Sequence, residues 1–280
     1  MFDAYRASFR RAAALHDIPI ETVEIPFDDK LLSGYFMQAD SSCRRCPTII
    51  ALGDRFAEEL YFLVGVAGVS RGYNVLLADL PGQGSTFYDG LHLRADAETP
   101  VRAIVDYVFS RSDVDVSHIA LYGSSFAGYM ATRAVAYEKR ITACIANTPV
   151  DDLGSIVAAE APQRAADSSE EALRSALFGL TAFQAGVSQP ADLFQLFNDM
   201  KVDDVTKISC PMLCLANPGD VAPRIKQTQK IYELLPNPKK ALHIFTEEEG
   251  AGAHLQVNNL SLLHQVVFDW LDEVLTASKI

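Results

Sequence analysis

At 280 residues with 49% hydrophobic side chains, the chain is long enough to bury a substantial core as one α/β domain carrying one insertion. Its formal charge of −12 argues against a nucleic-acid partner and against an anionic membrane surface. Its five cysteines are odd in number and scattered, which fits a reducing compartment and not a disulfide framework.

The N-terminus, Phe2 to Leu15, reads as an amphipathic helix with Phe2, Tyr5, Phe9 and Ala12 on one stripe. It lacks the hydrophobic block of a secretory signal, and the longest apolar run, Leu60 to Val69, is about half of what a membrane-spanning helix needs. A cytoplasmic location is therefore expected. Glu21 to Phe27 and Leu31 to Gln38 read as a hairpin joined across Asp28-Asp29-Lys30, and Pro47 to Leu52 as a strand buried on both faces. Cys43-Arg44-Arg45-Cys46 has zinc-like spacing, but without a second pair or a nearby histidine it reads as a loop, so no metal is expected. From there helix and strand alternate. Helices are expected at Ala57 to Ser70, Ala97 to Ser110, Pro223 to Leu235 and Leu260 to Leu275. Strands are expected at Tyr73 to Ala78, His118 to Tyr122, Ile141 to Ala146, Pro211 to Leu215 and Ala241 to Phe245. An eight-stranded, mostly parallel sheet with helices on both faces follows. The domain divides into an N-terminal helix over 1–20, a core over 21–150 and 207–280, and a helical lid over 151–206. That last stretch carries no strand signal. Its apolar residues recur at helical spacing, and Ser168 with Glu171 resembles a capping box. Inserted after the sixth strand, it is expected to roof a largely apolar pocket with Leu177, Phe183, Phe194 and Phe197.

The join between the strand ending at Gly123 and the helix after it is Gly123-Ser124-Ser125-Phe126-Ala127-Gly128. A turn this tight needs small residues two before and two after a nucleophile, and Gly123 and Ala127 bracket Ser125 alone. Alternatively, Ser124 or Ser125 merely caps the helix. Partners decide between the two, because a serine hydroxyl needs a base, and an imidazole base needs a carboxylate to hold its tautomer. Asp220 follows the strand Pro211 to Leu215, with Asp199, Asp203 and Asp204 as rivals. His254 sits on a glycine-rich loop after the strand Ala241 to Phe245. Of the other histidines, His16, His92 and His118 precede the turn, His243 lies in a strand and His264 on the last helix. The order Ser125, Asp220, His254 is that of a catalytic triad on the loops of consecutive parallel strands. An oxyanion formed at Ser125 would rest on the backbone N–H of Phe126 and on that of Gly53, or of Asp54 if the turn is shifted by one. Asp79 to Gly84 reads as a structural turn whose glycines permit close backbone approach.

With these motifs the chain resembles the α/β-hydrolases from about Glu21 onwards, on the elbow, the Asp79 turn, Asp220 and His254. The Ala57-Glu58-Glu59-Leu60-Tyr61 helix start, Arg71-Gly72-Tyr73-Asn74-Val75 and the Gly250 to His254 loop are similar to one branch of that family. It includes 2,6-dihydropseudooxynicotine hydrolase and hydrolase-like enzymes of natural-product pathways. The resemblance implies cleavage of an ester, or of a carbon–carbon bond beside a carbonyl, by the triad with no cofactor. It also matches Asp152 to an acidic residue just past the sixth strand, and Asp54 and Asp152 are expected to contact substrate. Three readings follow: a serine hydrolase, an acyltransferase or cyclase using the same triad, and a non-catalytic binder of small molecules. The expected partner is a small-molecule substrate, with a bulky ketone or aryl ester favoured over short acyl esters; the oligomeric state, homodimer included, stays open.

Overall fold

The computed structural model describes residues 2–17, 19–40, 42, 44–166 and 179–276. Its centre is an eight-stranded sheet of order β1-β2-β4-β3-β5-β6-β7-β8. Strands β1 (Ile20–Phe27) and β2 (Lys30–Met37) pair antiparallel across a two-residue turn, Phe27 opposite Lys30, with Asp28 left-handed at φ 53°. From β3 (Cys46–Leu52) and β4 (Asn74–Ala78) through β5 (Val114–Ser124), β6 (Ala143–Asn147), β7 (Met212–Ala216) and β8 (Ala241–Ile244), neighbours run parallel. The mixed sheet and its flanking helices are those expected, with strand ends moved by a residue or two at most joins.

The continuous apolar runs of the central strands come from burial on both faces. Ile50, Leu52, Leu76, Leu121 and Cys144 face one core with α3 (Glu98–Ser110), α4 (Phe126–Tyr137) and α7 (Ala222–Leu234). Their alternates Ile49, Ala51, Val75, Leu77, Ala120 and Tyr122 face a second core with α2 (Val66–Ser70) and α8 (Leu260–Thr276). Ahead of α2 the expected single helix is composite, with a tight 3-10 turn at Ala57–Glu59 and a wide π turn at Tyr61–Gly65. Helix α1 (Phe2–Ala13) lays Phe9 against Tyr35 and Tyr61, ring centres 4.9 and 5.8 Å away.

Between β6 and β7 lie α5 (Leu153–Ala166), a helical turn over 179–184 and α6 (Pro190–Asp199). The chain leaving α6 returns to the start of α5 through the hydrogen bonds Leu153 N–H to Met200 O (3.1 Å) and Val202 N–H to Asp151 O (2.9 Å). Ser168, Glu171 and Leu177 fall outside the described residues. Among the described residues, no helix is long and apolar enough to cross a membrane.

Candidate active site

The strand-to-helix join is sharper than the sequence implied, because α4 begins at Phe126, immediately after Ser125. Ser125 takes φ 54° and ψ −115°, a left-handed backbone rare for a residue with a side chain. Neighbours hold it there: its N–H donates to Asn147 O on β6, and its carbonyl accepts from Gly128 N–H. A Cβ on Gly123 would sit 2.2 Å from Ala127 O, and one on Gly128 would sit 2.2 Å from Thr148 O. Both glycines are therefore obligatory, whereas Ala127 fits with its methyl fully buried. Ser124 points back into the sheet, its hydroxyl 3.4 Å from Leu52 O.

Ser125, His254 and Asp220 come together. His254 Nε2 lies 2.9 Å from Ser125 Oγ, and His254 Nδ1 lies 2.6 Å from Asp220 Oδ1. The second carboxylate oxygen of Asp220 accepts from Asn217 Nδ2 at 2.9 Å and from Asn217 N–H at 3.3 Å. Asp220 is thus oriented from both sides, with its side chain 1% exposed against 42% for His254. A buried acid anchors an imidazole that stays open to incoming molecules. The two loops lock together through Gly219 N–H to Gly252 O at 2.9 Å, and any Cβ on Gly219 would strike that same oxygen at 2.5 Å. In this geometry the imidazole can take a proton from Ser125 and hand it on.

Asp54 occupies an unexpected place. It lies beside Gly53 at the end of β3, and its Oδ1 accepts the N–H of Phe126 at 2.6 Å. Gln83 fixes the turn by donating its amide to Gly53 O (2.7 Å) and Asp54 O (3.1 Å).

A cavity of about 190 Å³ opens beside Ser125. Its apolar wall includes Leu93, Phe126, Leu153, Val157 and Phe197, and its polar wall Asp54, Arg55, Thr181, Gln184 and Arg224. Of the side chains expected there, Asp54 and Phe197 are present. Asp152, Phe183 and Phe194 are not part of that wall. Asp152 starts α5, accepting the N–H of Ser155 (3.0 Å) and pairing with Lys201 (3.4 Å). Phe183 packs on Phe87 with ring centres 5.3 Å apart, and Phe194 is 48% exposed. The cavity is accordingly more polar than the apolar roof suggested. Arg224 is not legible in the sequence as a cavity residue, because a cation in a helix's first turn gives no signal of its direction. Among the described residues no three His, Cys, Asp or Glu side chains are grouped to hold a metal ion.

A family model described as the alpha/beta hydrolase family matches residues 51–257. The 20-hydroxy-prefusarin hydrolase FUS2 of Gibberella moniliformis is 29% identical over 97% of this chain and 73% of its own length. Hydrolase acrC of Aspergillus aculeatus is 30% identical over 82% of this chain and 60% of its own length. Among solved structures, 2,6-dihydroxy-pseudo-oxynicotine hydrolase superposes with a TM-score of 0.79 at 22% identity, over 99% of this chain and 74% of that one.

Proposed function

Because the chain belongs to the α/β-hydrolase family, we propose that it is a serine hydrolase acting on an ester, or on a carbon–carbon bond beside a ketone, with Ser125 as nucleophile, His254 as base and Asp220 as the group that orients His254. The observation that carries this reading is the unbroken chain from Ser125 Oγ through His254 to Asp220, at 2.9 and 2.6 Å. His254 takes the hydroxyl proton as Ser125 Oγ bonds to the substrate carbonyl carbon. The carbonyl electron pair moves to oxygen, beside the Phe126 N–H. Collapse expels the leaving group, which His254 protonates, and water then releases the acyl group by the same steps. A carbon leaving group needs a second carbonyl or an electron-poor ring to hold its charge, so a substrate of that kind is flat and conjugated. The stretch 151–206 serves as a cover, supplying Leu153, Val157, Thr181, Gln184 and Phe197 to the cavity.

The test compares p-nitrophenyl acetate, a bulky aryl ester and a conjugated 1,3-dicarbonyl compound, with wild type and Ser125→Ala side by side. Turnover of the larger substrates that vanishes in Ser125→Ala is expected. Efficient turnover of the acetate alone would return the protein to plain short-chain esterases, and turnover that survives in Ser125→Ala would remove the mechanism.

A further inference from the structure

The N–H of Phe126 is where an oxyanion generated at Ser125 should rest, and that place is taken by a carboxyl group: Asp54 Oδ1, at 2.6 Å. The Ser125 hydroxyl also acts on the same carboxyl, favouring its charged form. A charged carboxylate beside a forming oxyanion would oppose the reaction, since two like charges a few ångströms apart in a low-dielectric site repel strongly. A neutral carboxylic acid reverses the sign, because its O–H points a donor at the developing charge. Resting on the triad reading above, we propose that Asp54 is a catalytic residue that works as the protonated acid, donating its O–H to the oxyanion alongside the backbone N–H groups of Phe126 and Gly53.

On binding, the carbonyl oxygen displaces Asp54 Oδ1 from the Phe126 N–H, and the Asp54 side chain turns to present its O–H to the same oxygen. As Ser125 Oγ bonds to carbon, its proton passes to His254 Nε2 and the carbonyl π pair becomes the oxyanion lone pair. The Asp54 proton stays on Asp54 throughout, so collapse of the intermediate restores the starting state. No other donor is consumed.

Burial favours the neutral acid, and the hydrogen bonds to Asp54 oppose it. Burial, the largest influence, pushes the Asp54 carboxyl above the usual carboxylate range, while the Ser125 hydroxyl, the Phe126 N–H, His254 and Arg224 pull it back. Glu59, on the 3-10 turn that follows, interacts with Asp54 charge to charge. Arg55, next in the chain, shares the cavity wall. Activity should therefore be lost as pH rises and Asp54 ionises.

The measurement is kcat/KM against pH for wild type, Asp54→Ala and Asp54→Asn, with fluorophosphonate labelling of Ser125 followed in each. Removing one such donor costs about 10²–10³-fold in kcat, which is the loss expected of Asp54→Ala. Asn carries an N–H donor at every pH, so Asp54→Asn should recover at least about tenfold over Asp54→Ala and lose the decline at high pH. An Asp54→Asn enzyme no better than Asp54→Ala, or one with the wild-type decline intact, overturns the role of Asp54. Loss of Ser125 labelling in the wild type would instead overturn the triad reading, so the two failures are distinguishable.

Discussion

A left-handed backbone at Ser125 turns its hydroxyl away from the sheet and towards His254, and it is costly for any residue with a Cβ. Such conformations cost roughly 1–3 kcal/mol, and glycine escapes the penalty. Ser125→Gly should therefore abolish turnover while raising Tm, by about 2–4 °C for each kcal/mol of strain relieved. Thermal unfolding reads this directly, and a lowered Tm would mean that the position is not strained. Ser125→Ala should reduce kcat by several orders of magnitude. Ser124→Ala should retain most activity, since Ser124 faces Leu52 O and not the cavity. If Ser124→Ala alone abolished activity, the register of the turn would be wrong. Ser125, Asp220 and His254 were legible because each follows a strand that ends in an apolar run, so chain order alone brings the three together. Asp54 was legible as an alternative oxyanion donor and a substrate contact, but not as the partner of the Phe126 N–H. Nothing in Leu52-Gly53-Asp54-Arg55 says that the carboxyl folds onto the Phe126 N–H, because side-chain direction in a turn is set by packing in three dimensions.

The turns that hold these residues depend on elements further off. Asp79, at the end of β4, accepts the Ala57 N–H (2.8 Å) and the Ser33 hydroxyl (2.9 Å), and the Gly84 N–H donates to Arg55 O (2.7 Å). The Asp79 turn thereby braces the 53–57 turn from behind. Gly84 sits at φ +57°, and a Cβ there would lie 1.9 Å from Asp79 Oδ2. Gly84→Ala should cost at least about 2 kcal/mol, through backbone strain and displacement of Asp79, and should lower kcat by shifting the 53–57 turn. Burial, reinforced by nearby Glu58, pushes the Asp79 carboxyl up to about 7. The folded state thus binds a proton that the unfolded chain, with an ordinary aspartate pKa of about 3.9, releases. The stabilisation is full below the unfolded value and is lost as pH rises through about 7. Between pH 5 and 8 the Tm of wild type should fall relative to that of Asp79→Asn. Parallel curves would show that Asp79 does not carry the proton. The sheet was legible at this scale because strands buried on both faces read as unbroken apolar runs. The 3-10 and π turns ahead of α2 were not, since Leu60 to Val69 is apolar throughout and periodicity does not show how tightly a helix is wound.

At the scale of the whole molecule, the loops at the strand ends hold the reacting atoms, and the stretch between β6 and β7 adds Leu153, Val157, Thr181, Gln184 and Phe197 to the cavity beside them. It is tied down at the loop after β4, where Leu93 N–H donates to Gln184 O at 2.9 Å. Phe197 lines the cavity whereas Phe194 is 48% exposed, so the two rings separate the roles of shaping and covering. Phe197→Ala should change KM and the preference between bulky and small substrates, while Phe194→Ala should change neither. Equal effects of the two would contradict the proposed cover. Helical spacing marked this insertion, but it could not say which of its aromatics point inward. The claim on which the whole account turns is that Ser125 is the activated nucleophile. It is tested most directly by incubating the protein with a fluorophosphonate probe and locating the adduct by mass spectrometry. The account predicts one adduct, on Ser125, that disappears in Ser125→Ala and is strongly slowed in His254→Ala. Absence of any adduct in wild type, or an adduct on Ser124, would contradict it.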